Sequence, residues 1–130
     1  MTNSARATLA ALGLFALATP VLAAPVPDQM IERPQAKLQS LDKITARTST
    51  FTMAVGETRK FGGVSVTLRA CRENPPVEVP EAAAFLEVSE TKPGEQDELV
   101  FSGWMFASSP ALSALEHPVY DVWLISCEGE

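Results

Sequence analysis

The chain has 130 residues, of which 46% are hydrophobic and 20% charged, and a formal net charge of −6 at pH 7. Residues 1–23 contain one charged side chain, that of Arg6, so residues 24–130 keep every acidic group and are more acidic still. The length of that remainder suits one domain and not two. The acidic excess disfavours nucleic acid as a partner, because a polyanion is bound mainly by neutralising its phosphates.

Residues 1–23 are predicted to be a secretory signal peptide. Arg6 supplies its positive charge, and residues 7–18 form an uncharged, mostly apolar run. As a helix this run would span roughly 18 Å at ~1.5 Å per residue, short of a ~30 Å hydrocarbon core. Pro20 ends it, and cleavage after Ala23 would leave Ala24 as the mature N-terminus. The alternative is an uncleaved anchor. After cleavage we expect no membrane span and a periplasmic or secreted protein.

The mature chain is predicted to divide into an arm over residues 24–40 and a single β domain over residues 41–128. Pro25, Pro27 and Pro34 lie in the arm, which shows no apolar period. Proline lacks an N–H donor and biases the residue before it toward extended conformations. We therefore expect a linker or a loosely attached arm.

Alternating apolar residues predict strands over residues 50–55 and 64–70, and residues 83–90 are predicted to form another strand. Turns containing glycine or proline separate these segments. Cys71 breaks the pattern, because continued alternation would place it on the same face of the strand as the polar side chains of Ser65, Thr67 and Arg69. Either the cysteine covers the outer face of the strand, or a β-bulge reverses the chain at this point.

Residues 99–107 and 119–127 are apolar on both parities, which is typical of central strands covered on both faces. Between them, Ser109 as N-cap and Pro110 in the first turn predict a short helix over residues 110–116. With about seven strands in all, we predict an all-β fold. It would be a small antiparallel sandwich or partly open barrel with one short helix.

Cys71 and Cys127 are the two cysteines of the sequence. In an oxidising compartment an isolated pair most often forms a structural disulfide. We therefore predict one disulfide bond, with two free buried thiols as the alternative.

Three blocks of sequence, Leu41–Phe51, Val66–Pro76 and Phe101–Cys127, together resemble a bacterial envelope family catalogued as domain of unknown function 2155. The resemblance covers nearly all of the predicted domain. It implies an exported protein in which Cys71 and Cys127 are paired. It implies no activity, cofactor or catalytic residue.

Two constellations could carry chemistry. Ser109 (with Ser108 as the alternative nucleophile), His117 as base and Asp121 as orienting group supply the residue types of a small hydrolase. No Gly-x-Ser-x-Gly elbow is present. His117 and Asp121 could also bind a metal with the two cysteines. A disulfide already explains those cysteines, and one histidine is a poor basis for zinc. We predict no metal and no cofactor.

The aromatic residues Trp104, Phe106, Tyr120 and Trp123 are concentrated in the two doubly apolar segments. Aromatic pairs on secreted β domains can bind sugars or peptides, and the alternative is that these rings are core. We predict a non-enzymatic binding or assembly module of the cell envelope, with an envelope protein as its partner. The alternatives are the small hydrolase and a carbohydrate-binding domain.

Overall fold

A computed structural model describes residues 13, 14, 16, 29–110, 115 and 117–130. Most of the predicted signal peptide, residues 24–28 of the arm and most of the predicted helix lie outside these residues. In the described ranges no helix is long and apolar enough to cross a membrane. The same ranges contain eight β-strands: β1 (Ile31–Arg33), β2 (Gln35–Asp42), β3 (Arg47–Ala54), β4 (Thr58–Phe61), β5 (Val64–Glu73), β6 (Ala82–Glu90), β7 (Glu98–Phe106) and β8 (Tyr120–Glu128).

The strands form two antiparallel sheets. One has five strands in the order β1–β5–β6–β7, with β4 beside β1 on the same edge of β5. The other has three strands in the order β3–β2–β8. β8 lies against β5, β6 and β7, and β2 lies against β5. The prediction of an all-β antiparallel sandwich is confirmed, and the two sheets do not close into a barrel.

The core lies between the sheets and is built by alternate residues of the strands. Its side chains are 2% exposed or less on each contributing strand. The largest contributions come from Leu38 of β2, Met53 of β3, Val64, Val66 and Leu68 of β5, Leu86 and Val88 of β6, Met105 of β7, and Val122 and Leu124 of β8. Burial of these apolar side chains from both layers is what holds the sandwich together.

The predicted arm over residues 24–40 is wrong from Ile31 onward. β1 pairs with the end of β5, and β2 is the central strand of the smaller sheet. The buried residues of β2 alternate with polar ones, but they are too few for a clear sequence signal. Pro34 lies between the two strands, where it interrupts neither ladder. The folded domain therefore includes β1 and β2, and Met30, directly before β1, is itself buried.

β1 is only three residues long, and ion pairs help to hold it. Arg33 Nε lies 2.6 Å from Glu73, and Glu32 accepts from Arg72 at 3.2 Å. Both pairs join β1 to the last residues of β5. They are at least partly exposed, so each contributes at most ~1 kcal/mol.

The expectation that residues 99–107 and 119–127 form central strands is also wrong. β7 is an edge of the five-stranded sheet, and β8 is an edge of the three-stranded sheet. Their second apolar face is the outer face of each sheet. In these two strands, apolar residues on both faces therefore indicate one face in the core and one partly exposed apolar face on the outside of the sheet, and not burial of both faces.

Both cysteines reach the core through a β-bulge two residues before them. Arg69 in β5 and Ile125 in β8 are extra residues at which the pairing register shifts. Each bulge reverses the alternation, so that Cys71 and Cys127 point inward with 1% and 7% exposure. Their Cα atoms are 5.8 Å apart and their sulfurs are bonded. The predicted disulfide is confirmed, and it joins the two sheets.

Between β7 and β8, the described residues Leu115 and His117 contact the rest of the domain. Leu115 is 3% exposed and belongs to the core. The His117 ring bonds Glu90 at the end of β6. These contacts attach Leu115 to the interior and His117 to the larger sheet.

Candidate functional site

Three aromatic side chains lie together on the outer face of β6 and β7. Phe85 pairs with Trp104 across the two strands, and Phe106 is the next outward residue along β7. The rings of Phe85 and Trp104 pack edge to face, with centroids 5.4 Å apart and planes at 80°. All three side chains are partly exposed. We call Phe85, Trp104 and Phe106 the aromatic face.

The aromatic face is not needed to fill the core. In β7 the alternate residues point inward, where Met105 is 2% exposed and Phe101 packs against the core cluster. In β6 the inward residues include Leu86, which is fully buried. The rings of the aromatic face are thus additional to a complete interior.

Arginines border the aromatic face. The guanidinium of Arg72 lies 5.5 Å from the centroid of Trp104 and bonds the Glu32 carboxylate at 3.2 Å. Arg69 pairs with Glu87 at 3.2 Å on the same side of the sheet. Arginine over an indole ring is a favourable cation–π arrangement. The surface therefore combines apolar rings with two arginine–glutamate ion pairs at its border.

The structure does not bring the four predicted aromatic residues into one surface. Trp104 and Phe106 share the outer face of the larger sheet. Trp123 lies on the outer face of the smaller sheet, on the opposite side of the sandwich. Tyr120 packs against the core, with its ring 5.7 Å from that of His117. The four residues therefore lie on different surfaces, and only Trp104 and Phe106 share one.

Phe85 belongs to the aromatic face but was not predicted. In β6 it has the same parity as Glu87 and Ser89, which point outward. An aromatic residue among polar side chains on the outward parity is the signal that could have identified it.

The hydrolase constellation is not assembled around His117. Its Nδ1 atom accepts the backbone N–H groups of Val119 and Tyr120, each at 3.1 Å. Its Nε2 atom lies 3.1 Å from the carboxylate of Glu90. Because Nδ1 is an acceptor, Nε2 carries the ring proton, and this N–H donates a hydrogen bond to the Glu90 carboxylate. Both nitrogens are occupied, so neither accepts a proton from a serine hydroxyl.

The other two members of that constellation also have different surroundings. The carboxylate that His117 bonds is Glu90, and Asp121 lies on the outer face of β8 opposite Leu41. The backbone N–H of Ser109 bonds the carbonyl of Phe106 at 3.2 Å. The triad predicted from Ser109, His117 and Asp121 is therefore wrong.

The suggested metal ligands are not available together. Cys71 and Cys127 are bonded to each other, so neither is a thiolate. Among the described residues, no group of three or more histidine, cysteine, aspartate or glutamate side chains could hold a metal ion.

A family model described as "Uncharacterized protein conserved in bacteria (DUF2155)" matches residues 36–127. The chain belongs to the DUF2155 family. The match begins in β2 and ends at Cys127, so this DUF2155 domain includes strands of both sheets and the disulfide. The resemblance seen in the sequence is confirmed.

An uncharacterized protein of Rickettsia prowazekii (strain Madrid E) is similar to this DUF2155 domain. The two are 33% identical over 91 residues, which are 70% of this chain and 59% of the relative. The aligned part thus covers less than two thirds of that relative. No solved structure matches.

Proposed function

We propose that this DUF2155 domain is an exported, non-enzymatic binding module of the cell envelope that holds a partner protein against the aromatic face. One observation carries the proposal. Three aromatic rings lie partly exposed on the outer face of β6 and β7, while the inward residues of the same strands complete the core. Aromatic residues are enriched in protein interfaces and supply much of their binding energy.

The described N-terminal segment does not cover the aromatic face. β1 extends the larger sheet at its far edge, and β2 lies in the smaller sheet. These strands are therefore part of the two layers and do not lie over Trp104. An apolar patch that the described strands leave partly exposed can mark an interaction site.

Two features support export. Residues 1–23 have the charge, apolar run and small-residue cleavage pattern of a signal peptide. A buried disulfide joins the two sheets, and such bonds persist in oxidising compartments. We therefore expect protein recovered from the periplasm to begin at Ala24. Intact-mass measurement tests this, and a mature species that retains Met1–Ala23 would contradict cleavage.

The aromatic face is tested with Trp104→Ala. A buried interface tryptophan contributes ~2 kcal/mol or more, so we expect partner recovery to fall by about 30-fold. The measurement is quantitative mass spectrometry of proteins cross-linked to the tagged domain in the envelope fraction. The melting temperature is expected to change little, because the ring lies outside the core.

Trp123→Ala is the matched control. It removes the same side chain from the outer face of the smaller sheet, and we expect it to keep the partner. The proposal fails if both variants retain the partner, or if only Trp123→Ala loses it. Equal loss of partner in both folded variants would also contradict it.

A further inference from the structure

A second surface lies at the end of the sandwich where β5 turns into β6. Residues 74–81 form this turn, which we call the valine loop. Val77 is 91% exposed and Val79 is 79% exposed. Large apolar side chains with so little cover are unusual when two of them lie on one short loop.

The valine loop is braced from within. The N–H of Asn74 donates to the carbonyl of Glu81 at 2.9 Å, and the Asn74 side chain donates to the carbonyl of Val79 at 2.7 Å. The N–H of Glu78 donates to the carbonyl of Pro75 at 2.9 Å, which closes a turn. Pro76 occupies the second position of that turn, where its fixed φ is favourable.

The loop is also fixed to its neighbours. The Glu81 carboxylate accepts the N–H of Ser108 at 3.2 Å and bonds the hydroxyl of the same serine. Glu73, directly before the loop, is paired with Arg33. The two valines are therefore held outward by an ordered loop, so that binding a partner would require little further ordering.

A groove of about 490 Å³ lies beside the loop. Its far wall includes Ile125, the bulge residue of β8, which is 39% exposed. Glu73, Glu78 and Glu81 line it, and among the described residues no arginine or lysine does. Glu78 forms no ion pair within the described part of the chain. The groove is thus apolar at its walls and negatively charged.

We propose that the valine loop and its groove are a second docking surface, whose partner is a protein segment carrying apolar side chains beside lysine or arginine. The apolar part would cover Val77, Val79 and Ile125, and the basic part would complement Glu78. Charge complementarity selects this partner, because an acidic segment would meet the carboxylates of Glu78 and Glu81, neither of which forms an ion pair among the described residues, on a domain that is acidic overall. The surface is separate from the aromatic face, whose rings do not line the groove.

The probes are three synthetic eight-residue peptides with blocked ends. One alternates leucine with lysine, one leucine with glutamate, and one serine with lysine. Binding to the ¹⁵N-labelled mature chain is followed by chemical-shift changes. We expect the leucine–lysine peptide to shift the amides of residues 74–81 with saturation, and the other two to leave them unchanged.

Val77→Thr and Val79→Thr preserve side-chain shape and are each expected to weaken binding about tenfold. Ile44→Thr is the matched control, since Ile44 is 77% exposed at the opposite end of the sandwich. Glu78→Gln should reduce the dependence of binding on salt, whereas Glu95→Gln should not. Trp104→Ala should leave peptide affinity unchanged, which separates this test from that of the aromatic face.

The proposal is overturned if the leucine–glutamate peptide binds the loop as tightly, or if the shifts fall outside residues 74–81 and the groove. It is equally overturned if no peptide binds at millimolar concentration, or if Ile44→Thr weakens binding as much as Val77→Thr.

Discussion

Removing the disulfide is expected to cost about 4 kcal/mol of folding free energy and more than about 15 °C in melting temperature. Cys71 and Cys127 are 56 residues apart in sequence. Their bond restricts the unfolded chain and so lowers its entropy. It also joins the two sheets through the core, so that neither sheet separates without breaking it. The variant is Cys71→Ala with Cys127→Ala, which introduces no buried hydroxyl.

Thermal and denaturant unfolding of this double variant provide the measurement. The matched control is the unsubstituted domain with a strong thiol reductant present during unfolding, which should lose comparable stability. The double variant itself should be insensitive to the reductant. Two reactive sulfhydryls in the denatured but unreduced natural domain would contradict the bond, as would a double variant that melts at the same temperature.

The sequence allowed the class of fold to be predicted because alternation is a local property. Residues 64–70 alternate clearly and lie within the observed β5, and residues 83–90, also predicted to be a strand, lie within β6. β2 was missed because Pro34 precedes it and its inward residues include Ala36 and Ser40. Neither has the bulk that marks a core position. Its burial comes from neighbours on both sides, and such neighbours are distant in sequence.

The cysteines likewise show that local alternation does not reveal features that depend on a neighbouring strand. Regular alternation puts Cys71 on the outer face of β5, and only the bulge at Arg69 turns it inward. The bulge at Ile125 does the same for Cys127. A bulge depends on the register with the neighbouring strand, so the sequence could raise the possibility at Cys71 without deciding it.

The candidate site was predicted in part. Trp104 and Phe106 share a parity, and that local relation survives in the structure. Trp104 and Trp123 lie on different sheets, which could not be predicted because local alternation does not tell which sheet a strand joins. The hydrolase triad failed for a related reason. Asp121 lies only four residues after His117 in the sequence, but folding places Glu90, 27 residues earlier, against its ring.

Leu38→Ala is expected to destabilise the domain by about 3 kcal/mol, within the range of about 2–5 kcal/mol typical of fully buried leucines. Leu38 has no exposed surface. It faces the core between Phe51 of β3 and Leu124 of β8, its partners on either side. Removing its side chain leaves a cavity that two flanking strands and an opposing sheet cannot readily fill. The melting temperature should fall by more than about 10 °C.

Leu41→Ala is the matched control, because it removes the same atoms from the outer face of the same strand. We expect it to cost less than about 1 kcal/mol, since Leu41 is only partly buried and leaves no enclosed cavity. Urea unfolding of both variants measures the difference. If residues 24–40 were a loose arm, Leu38→Ala would change stability little. Equal small effects at Leu38 and Leu41 would therefore contradict the central position of β2 in its sheet. A much larger effect at Leu38 would show that β2 belongs to the folded domain, whose boundary then lies before Gln35.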